Sequence, residues 1–242
     1  MPPIPPTSPS RVLCAPSSRV AAIGAVFVAL AAAAAVQRGW LLLQVDGPIE
    51  RFVVDNRTSW LDTAFRIISY LGGTTVVLAG GAALAVAAWR RCRVVAVLVV
   101  AATLSRPVIE FTLKAGIGRE RPSLDQLVNG AGYSFPSGHV MAAATLWFMV
   151  PVVLSLYHRS TRVWWVSIGV SVVAVGLIGA SRVYLGVHWA SDVVAGSLVA
   201  AMLLAGLDLG FRWLHARHRC RGGRVGGGDP GAATPLGKRP RE

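Results

Sequence analysis

Long apolar runs separated by short polar segments dominate the chain. Each run is long enough to cross a bilayer as a single helix, which takes about 20 residues. The pattern therefore predicts an all-α, polytopic membrane protein with six transmembrane helices. The runs cover residues 20–43, 67–89, 94–113, 140–157, 163–180 and 188–211.

The segments outside these runs predict one membrane domain, residues 20–211, between two disordered cytoplasmic tails. Residues 1–19 are rich in Pro and Ser, and residues 212–242 are rich in Arg and Gly. Compositions of this kind bury too little apolar surface to fold. The first run, with its basic flank and small residues, also fits a signal peptide, which stays an alternative. Residues 44–66 fit either a short interfacial helix or an ordinary loop.

Composition supports the membrane setting. Of 242 residues, 54% are hydrophobic and only 14% are charged, which is far from the usage of a soluble domain. The net charge of +13 could indicate nucleic-acid binding, but the basic residues are dispersed between the apolar runs and cluster at their ends. Membrane topology explains them better, so the expected partner is a lipid bilayer and not a nucleic acid.

The basic residues also predict an orientation. The larger share of the 24 Lys and Arg residues lies in the two tails and after the second and fourth runs. By the positive-inside rule this side is cytoplasmic, so both termini lie inside and the third and fifth runs end outside the plasma membrane. Cys14, Cys92 and Cys220 fall on the inner side, where thiols stay reduced. Their spacing matches no metal motif, and no metal or cofactor is expected.

Three short polar stretches stand at the ends of apolar runs on the predicted outer side. Helix ends on one side of a bundle lie close together, so the three stretches are expected to form one site. They are Lys114…Arg121-Pro122, Pro136-Ser137-Gly138-His139 and Ser181-Arg182…His188…Asp192.

The cations of these stretches predict a phosphate-binding site. Lys114, Arg121 and Arg182 supply three positive charges, and guanidinium groups match the oxygens of a phosphate. Ser137 and Gly138 precede an apolar run, where the unpaired N–H groups of a helix start bind anions and a glycine lets phosphate approach the backbone.

Two histidines accompany the cations. Phosphoryl transfer without a metal needs one group that attacks phosphorus and one that protonates the departing oxygen. Asp192 follows His188 by four residues, so on a helix it can accept the imidazole N–H and leave the other ring nitrogen free to attack. This favours His188 as the nucleophile and His139 as the general acid.

A further charged face precedes the first stretch. Arg106, Glu110 and Lys114 are spaced by four and share one side of a helix. Charges at this depth are costly and are usually functional or paired. Our hypothesis is that Glu110 steers Lys114 and is held by Arg106; a structural ion pair without a catalytic part is the alternative. Arg119 lies outside the three stretches, so its replacement by Ala is expected to have a mild effect.

At these residues the sequence resembles the type 2 phosphatidic acid phosphatase superfamily, whose signature is KxxxxxxRP, PSGH and SRxxxxxHxxxD. All eleven signature positions match in order and spacing between Lys114 and Asp192. The resemblance implies a metal-independent phosphatase that works through a phosphohistidine on His188, with His139 as the acid and Asp192 as the orienting partner. It also implies a six-helix core and, for the membrane branch, lipid phosphates or polyprenyl pyrophosphates as substrates.

The expected function is therefore hydrolysis of a lipid phosphate. Polyprenyl pyrophosphate is favoured because an outward site suits recycling of a carrier lipid; phosphatidic acid and phosphatidylglycerol phosphate come next. Two alternatives belong to other classes: a phosphotransferase that uses the same site, and a non-catalytic lipid-phosphate binder or transporter. Binding alone needs the cations but not His188 with Asp192, which argues against the binder. The sequence predicts no oligomeric state.

Overall fold

The computed structural model describes residues 42–215, and its regular structure there is entirely helical. This confirms the all-α prediction for that part of the chain. Most of the first predicted run and most of both predicted tails lie outside it. The elements are a π-helical turn, Leu42–Asp46, and seven α-helices: α1 Gly47–Asp55, α2 Ser59–Tyr70, α3 Thr74–Trp89, α4 Arg93–Ile117, α5 Gly138–Ser155, α6 Thr161–Tyr184 and α7 Ala190–His215.

Four of the helices, α4 to α7, are long and apolar enough to span a membrane. α2 and α3 together form a fifth candidate, bent by 42° at residues 71–73. The described residues thus supply four or five spans, and the predicted six are not confirmed. α7 continues to His215, beyond the predicted domain boundary at residue 211.

The second predicted run differs most from the observed helices. Its helix begins at Ser59 instead of residue 67 and is interrupted before α3, where Gly72 and Gly73 follow the end of α2. Gly72 leaves little room beside it, because an added Cβ would lie 2.7 Å from Ile178 Cγ2. Part of the segment 44–66 therefore belongs to this bent candidate span. α1 is a short helix in the same segment, which was one of the two alternatives for it.

α5 lies at the centre of the bundle. In an apolar stretch of 18 residues taken from each helix, 56% of the residues of α5 are buried, against 22–28% of those of α4, α6 and α7. Small side chains let neighbouring helices approach closely, as they do in membrane bundles. Gly80 of α3 lies against Leu146 of α5, and Gly81 lies against Thr103 of α4.

The end of the bundle opposite the polar stretches has a small apolar core formed by α3, α4 and α5. Cys92 lies in it at the start of α4 and is 3% exposed. This cysteine is disulfide-bonded, so the prediction of a reduced thiol at this position is wrong.

The loop between α4 and α5 folds over the other end of the bundle. Gly118 ends α4 in the left-handed conformation, with φ 62°, which glycine adopts without steric cost. Gly186, at φ 73°, lets the Asp125 carbonyl pack where any Cβ would collide. Arg57 then fastens the loop, with its Nη1 2.8 Å from Asp125 Oδ2 and its Nη2 donating to the Tyr184 carbonyl at 2.7 Å.

Candidate active site

The three polar stretches meet at one end of the bundle. The end of α4, the start of α5, and the turn between α6 and α7 surround a polar cavity of about 220 Å³. Eight of the ten predicted site residues line it: Arg106, Glu110, Lys114, Arg121, Gly138, His139, Arg182 and His188.

His188 lies between α6 and α7 and is buried. Its Nδ1 is 3.4 Å from Asp192 Oδ2, and its Nε2 is 3.4 Å from Arg121 Nη1. Because a guanidinium can only donate, Nε2 is the acceptor in the second contact and Nδ1 carries the proton that faces Asp192. In this tautomer the lone pair of Nε2 faces the cations that line the cavity.

The surroundings of His188 also keep its ring neutral. Burial lowers the pKa of His188 below its ordinary value of 6.5. The hydrogen bond and charge of Asp192 act in the opposite direction, and the charges of Arg121 and Arg182 lower the pKa further. A neutral imidazole at physiological pH has the lone pair that a nucleophile requires.

Asp192 does not line the cavity but stands behind His188. Its carboxylate is fully buried and accepts the Trp189 N–H at 3.0 Å, which caps the first turn of α7. Its other oxygen accepts from Arg119 Nη1 at 2.7 Å. The carboxylate that faces the imidazole is therefore fixed through both of its oxygens.

Arg121 and Arg182 bring positive charge to the cavity without a close carboxylate partner among residues 42–215. Arg121 donates to the carbonyls of Ala131 and Gly132 at 2.7 and 2.9 Å. Arg182 is 7% exposed and donates to the Ser69 hydroxyl at 2.5 Å. Neutral partners orient these guanidinium groups while leaving their charge for an anion.

Glu110 joins the other two cations in a chain of ion pairs. Its Oε2 lies 2.6 Å from Arg106 Nη1, and its Oε1 lies 2.8 Å from Lys114 Nζ. The predicted shared face of α4 is therefore present. The same carboxylate packs over Gly138, where an added Cβ would collide with it. In the structure, the close approach that Gly138 permits is made by Glu110.

Ser137 contributes differently from the prediction. Its N–H donates to the Asp192 carbonyl at 3.1 Å, so this amide is already engaged. Its hydroxyl is buried and has no hydrogen-bond partner within the described part of the chain. The amides from Gly138 onward are left as the candidate anion donors at the start of α5.

The structure adds residues that the sequence stretches did not indicate. Arg119 binds Asp192, and Asp46, 146 positions away along the chain from Asp192, binds Arg119 in turn at 2.7 Å. Ser69 orients Arg182 from α2, next to the break in that span. The available sequence signals were weak: a lone Asp before a Gly-Pro pair, and an Arg two residues from Arg121.

The described residues offer no cluster of metal ligands. Within residues 42–215, no group of three or more His, Cys, Asp or Glu side chains is arranged to hold a metal ion. In this part of the chain, the titratable side chains around the cavity are four cations, two imidazoles and the single carboxylate of Glu110, a positively charged set suited to an anion.

Known proteins resemble this chain in sequence and in fold. The chain is 33% identical to phosphatidylglycerophosphatase B of Bacillus subtilis (strain 168) over 174 residues, which cover 67% of this chain and 83% of that protein. It is 34% identical to an undecaprenyl-diphosphatase of Sulfolobus acidocaldarius over 71 residues, 29% of this chain and 30% of that protein.

A solved structure agrees with the longer of these matches. The crystal structure of a transmembrane PAP2 type phosphatidylglycerolphosphate phosphatase from Bacillus subtilis superposes with a TM-score of 0.67 at 28% identity. The match covers 83% of this chain and 98% of that one.

The apolar helices and these likenesses make the protein a multi-pass membrane protein. The sequence pattern of the PAP2 superfamily matches residues 93–219, which include all three polar stretches. The chain belongs to the PAP2 superfamily.

Proposed function

We propose that this protein is a membrane lipid phosphatase that hydrolyses a phosphomonoester or pyrophosphate of a lipid through a phosphohistidine on His188. One observation carries the proposal. His188 has its Nδ1 directed at a buried carboxylate and its Nε2 directed at a cavity lined by cations. A protein that only binds lipid phosphate has no need for this arrangement.

In the first step, the Nε2 lone pair of His188 attacks phosphorus in line with the departing oxygen. A bond from Nε2 to phosphorus forms as the bond from phosphorus to that oxygen breaks, and His139 gives its proton to the oxygen. Arg121, Arg182 and Lys114 stabilise charge on the transferring group. Fixed donors of this kind each contribute about 100- to 1,000-fold in rate.

In the second step, His139, now neutral, takes a proton from water, and the water oxygen attacks phosphorus. The bond from Nε2 to phosphorus breaks and inorganic phosphate leaves. The lone pair returns to His188, and His139 ends protonated as it began. Asp192 stabilises the imidazole in both steps, because its carboxylate accepts the hydrogen bond of the Nδ1–H group while the ring bears positive charge.

The size of the cavity supports a substrate whose bulk lies elsewhere. About 220 Å³ is the space of roughly seven water molecules, at about 30 Å³ each. A phosphoryl group fits such a space and a lipid chain does not.

An apolar groove of about 460 Å³ lies beside this cavity, between α2, α5 and α6. Ile178 lines the groove, and Gly72, which contacts Ile178, lines the cavity. We assign the acyl or prenyl chain to this groove, with its phosphate reaching His188 past Gly72.

Two substrate classes follow from the relatives. Phosphatidylglycerol phosphate comes first, because the relative and the solved structure that match most of the chain carry that activity in their names. Polyprenyl pyrophosphate is the second candidate, favoured by the shorter match to an undecaprenyl-diphosphatase and by the outward site that the charge pattern predicts.

The experiment is release of inorganic phosphate from a lipid panel by the purified protein in detergent. The panel contains phosphatidylglycerol phosphate, phosphatidic acid and undecaprenyl pyrophosphate, each with and without a chelator. We expect release from at least one lipid, insensitive to the chelator and abolished in His188→Ala. A wild-type protein that releases no phosphate from any of them would overturn the proposal. Lipid dephosphorylation that yields no free phosphate would instead support the phosphotransferase.

The proposed orientation places the cavity outside the plasma membrane and the connection between α5 and α6 inside. The disulfide bond of Cys92 does not fit this orientation, because the orientation places Cys92 on the cytoplasmic side and disulfides persist in oxidising compartments. Single cysteines introduced at exposed positions can test the orientation. In intact cells, a membrane-impermeant thiol reagent should label Leu124→Cys beside the cavity and leave Ser160→Cys unlabelled. The reverse pattern would place the site in the cytoplasm.

A further inference from the structure

We propose that Arg119 and Asp46 are positioning residues that hold Asp192, and through it His188, in the geometry needed for attack. The proposal rests on the function given above and adds two residues outside the three sequence stretches. Asp46, Arg119, Ser191 and Asp192 form a part-buried network that we call the carboxylate clamp.

Arg119 is the centre of the clamp. Its Nη1 donates to Asp192 Oδ1 at 2.7 Å and to Ser191 Oγ at 2.6 Å, and its Nη2 donates to Asp46 Oδ2 at 2.7 Å. The guanidinium plane presents several donors in a fixed fork, so one side chain can bridge two carboxylates. Its Cζ also lies 5.4 Å from the centre of the Trp189 ring, which covers it.

Asp46 anchors the clamp from the other side. It is 1% exposed and stands just before α1. Its carboxylate accepts the Ser191 N–H at 3.0 Å and the Ser191 hydroxyl at 2.6 Å, as well as Arg119. Free N–H groups at a helix start bind negative charge, so Asp46 fixes the first turn of α7, the turn that carries Asp192.

Burial explains why the clamp needs its cation. Asp46 and Asp192 are almost completely buried, and two buried carboxylates without a compensating charge are strongly unfavourable. Among the described residues, Arg119 is the side chain that forms a salt bridge with both. Without it, nothing fixes the Oδ1 side of Asp192.

The contact that depends on this orientation is a long one. Asp192 Oδ2 is 3.4 Å from His188 Nδ1, at the outer limit of a useful hydrogen bond. A small rotation of the carboxylate would break it and release the imidazole from its tautomer. The clamp is therefore expected to matter more for turnover than for phosphate binding, which Arg121, Arg182 and Lys114 provide.

The chain offers a matched control in Arg57. Its side chain is 9% exposed, against 14% for Arg119, and it also fastens the loop between α4 and α5 through an ion pair. Its partners are Asp125 and Tyr184, and it contacts neither His188 nor Asp192. Loss of Arg57 thus reports the structural cost of freeing the loop alone.

The experiment compares Arg119→Ala, Arg119→Lys, Asp46→Asn and Arg57→Ala in the phosphate-release assay, with thermal unfolding in the same detergent. We expect Arg119→Ala to lower kcat about 10- to 100-fold, by analogy with the loss of an outer partner of a metal-bound imidazole. Its KM and its inhibition by inorganic phosphate, the reaction product, should stay near wild type. Arg119→Lys should keep partial turnover, because one ammonium reaches only one carboxylate. Arg57→Ala should unfold at lower temperature but retain kcat.

A double-mutant cycle separates a shared network from two independent losses. Asp46→Asn combined with Arg119→Ala should lower kcat little more than Arg119→Ala alone, whereas Asp46→Asn with Arg57→Ala should be additive. A kcat for Arg119→Ala that matches Arg57→Ala, or additivity in both cycles, would overturn the clamp. Should Arg119→Ala fail to fold, Arg119→Lys and Asp46→Asn carry the same comparison.

A readout independent of turnover separates this proposal from the proposed function. In protein labelled with ¹⁵N-histidine, the ring nitrogens of His188 should give the signal of a single tautomer with its proton on Nδ1, facing Asp192. Arg119→Ala should replace that signal with one from mixed tautomers, while Arg57→Ala keeps it. If the wild type releases phosphate but the signal does not depend on Arg119, the clamp fails and the phosphatase stands. If the signal depends on Arg119 but no lipid is hydrolysed, the phosphatase fails and the clamp stands.

Discussion

Replacing Glu110 by Gln tests whether the ion-pair chain at the cavity serves catalysis. Glu110 contacts Arg106 at 2.6 Å and Lys114 at 2.8 Å, and these side chains are 7% and 20% exposed. The amide of Gln can accept from one cation but turns its NH₂ group toward the other. The change therefore removes about one charge-assisted hydrogen bond, worth about 1.5–3 kcal/mol in a partly buried setting.

If that loss falls on the transition state, kcat/KM decreases about 10- to 150-fold, at about 1.4 kcal/mol per factor of ten. The assay is phosphate release by the purified variant, with thermal unfolding in the same detergent. Asp125→Asn is the control, because it neutralises a carboxylate paired at 2.8 Å that lies outside the cavity. Turnover of Glu110→Gln equal to that of Asp125→Asn, with only stability reduced, would refute the steering role and leave a structural ion pair.

Three further results are expected. As the pH is lowered, kcat/KM should not decrease until the pH is below 6.5, because the lowered pKa of His188 keeps the attacking ring neutral to lower pH. An acid-side decrease that already begins above pH 6.5 would contradict this. Gly138→Ala should lose both stability and activity, since its Cβ collides with the Glu110 carboxylate. The control, Gly116→Ala, has nothing within 4 Å of the added Cβ and should stay near wild type. Equal stability and activity of the two variants would refute the contact. Leu177→Trp in the apolar groove should raise KM for a long-chain lipid phosphate and not for a short soluble phosphate ester. The control is Leu104→Trp, at an exposed position outside the groove. An unchanged KM would place the acyl or prenyl chain of the substrate elsewhere.

The convergence of the three polar stretches could be predicted from the sequence because each stretch stands at the end of an apolar run. Spacing along a helix also predicted the shared face of Arg106, Glu110 and Lys114, and the structure shows both of its ion pairs. Such predictions depend on local periodicity and on which end of a helix a residue occupies. Both can be read from a single chain.

The carboxylate clamp could not be predicted in the same way. Arg119 and Asp46 come together only through the fold of the loop and the entry to α1, and they lie 73 residues apart in the chain. Their positions outside the three stretches led to the expectation that Arg119→Ala is mild. Its two buried carboxylate partners now give the opposite expectation.

The bent span escaped prediction for another reason. Hydropathy reports that residues 67–89 are apolar but does not report where the helix breaks. The break at residues 71–73 depends on packing, because Gly72 must fit against Ile178 and the backbone of His139. The break also places Ser69 beside Arg182, and the sequence pattern of α2 does not predict this contact between helices.

The most direct test of the account is to find where the phosphoryl group is held during turnover. Protein mixed with ³²P-labelled lipid phosphate is quenched in alkali within the first turnover, and the labelled peptide is mapped. The label should lie on His188, be absent from His188→Ala, and persist in His158→Ala, whose exposed histidine follows α5 at the opposite end of the bundle. Phosphate release by an active enzyme with no label on His188 at any time would contradict the account.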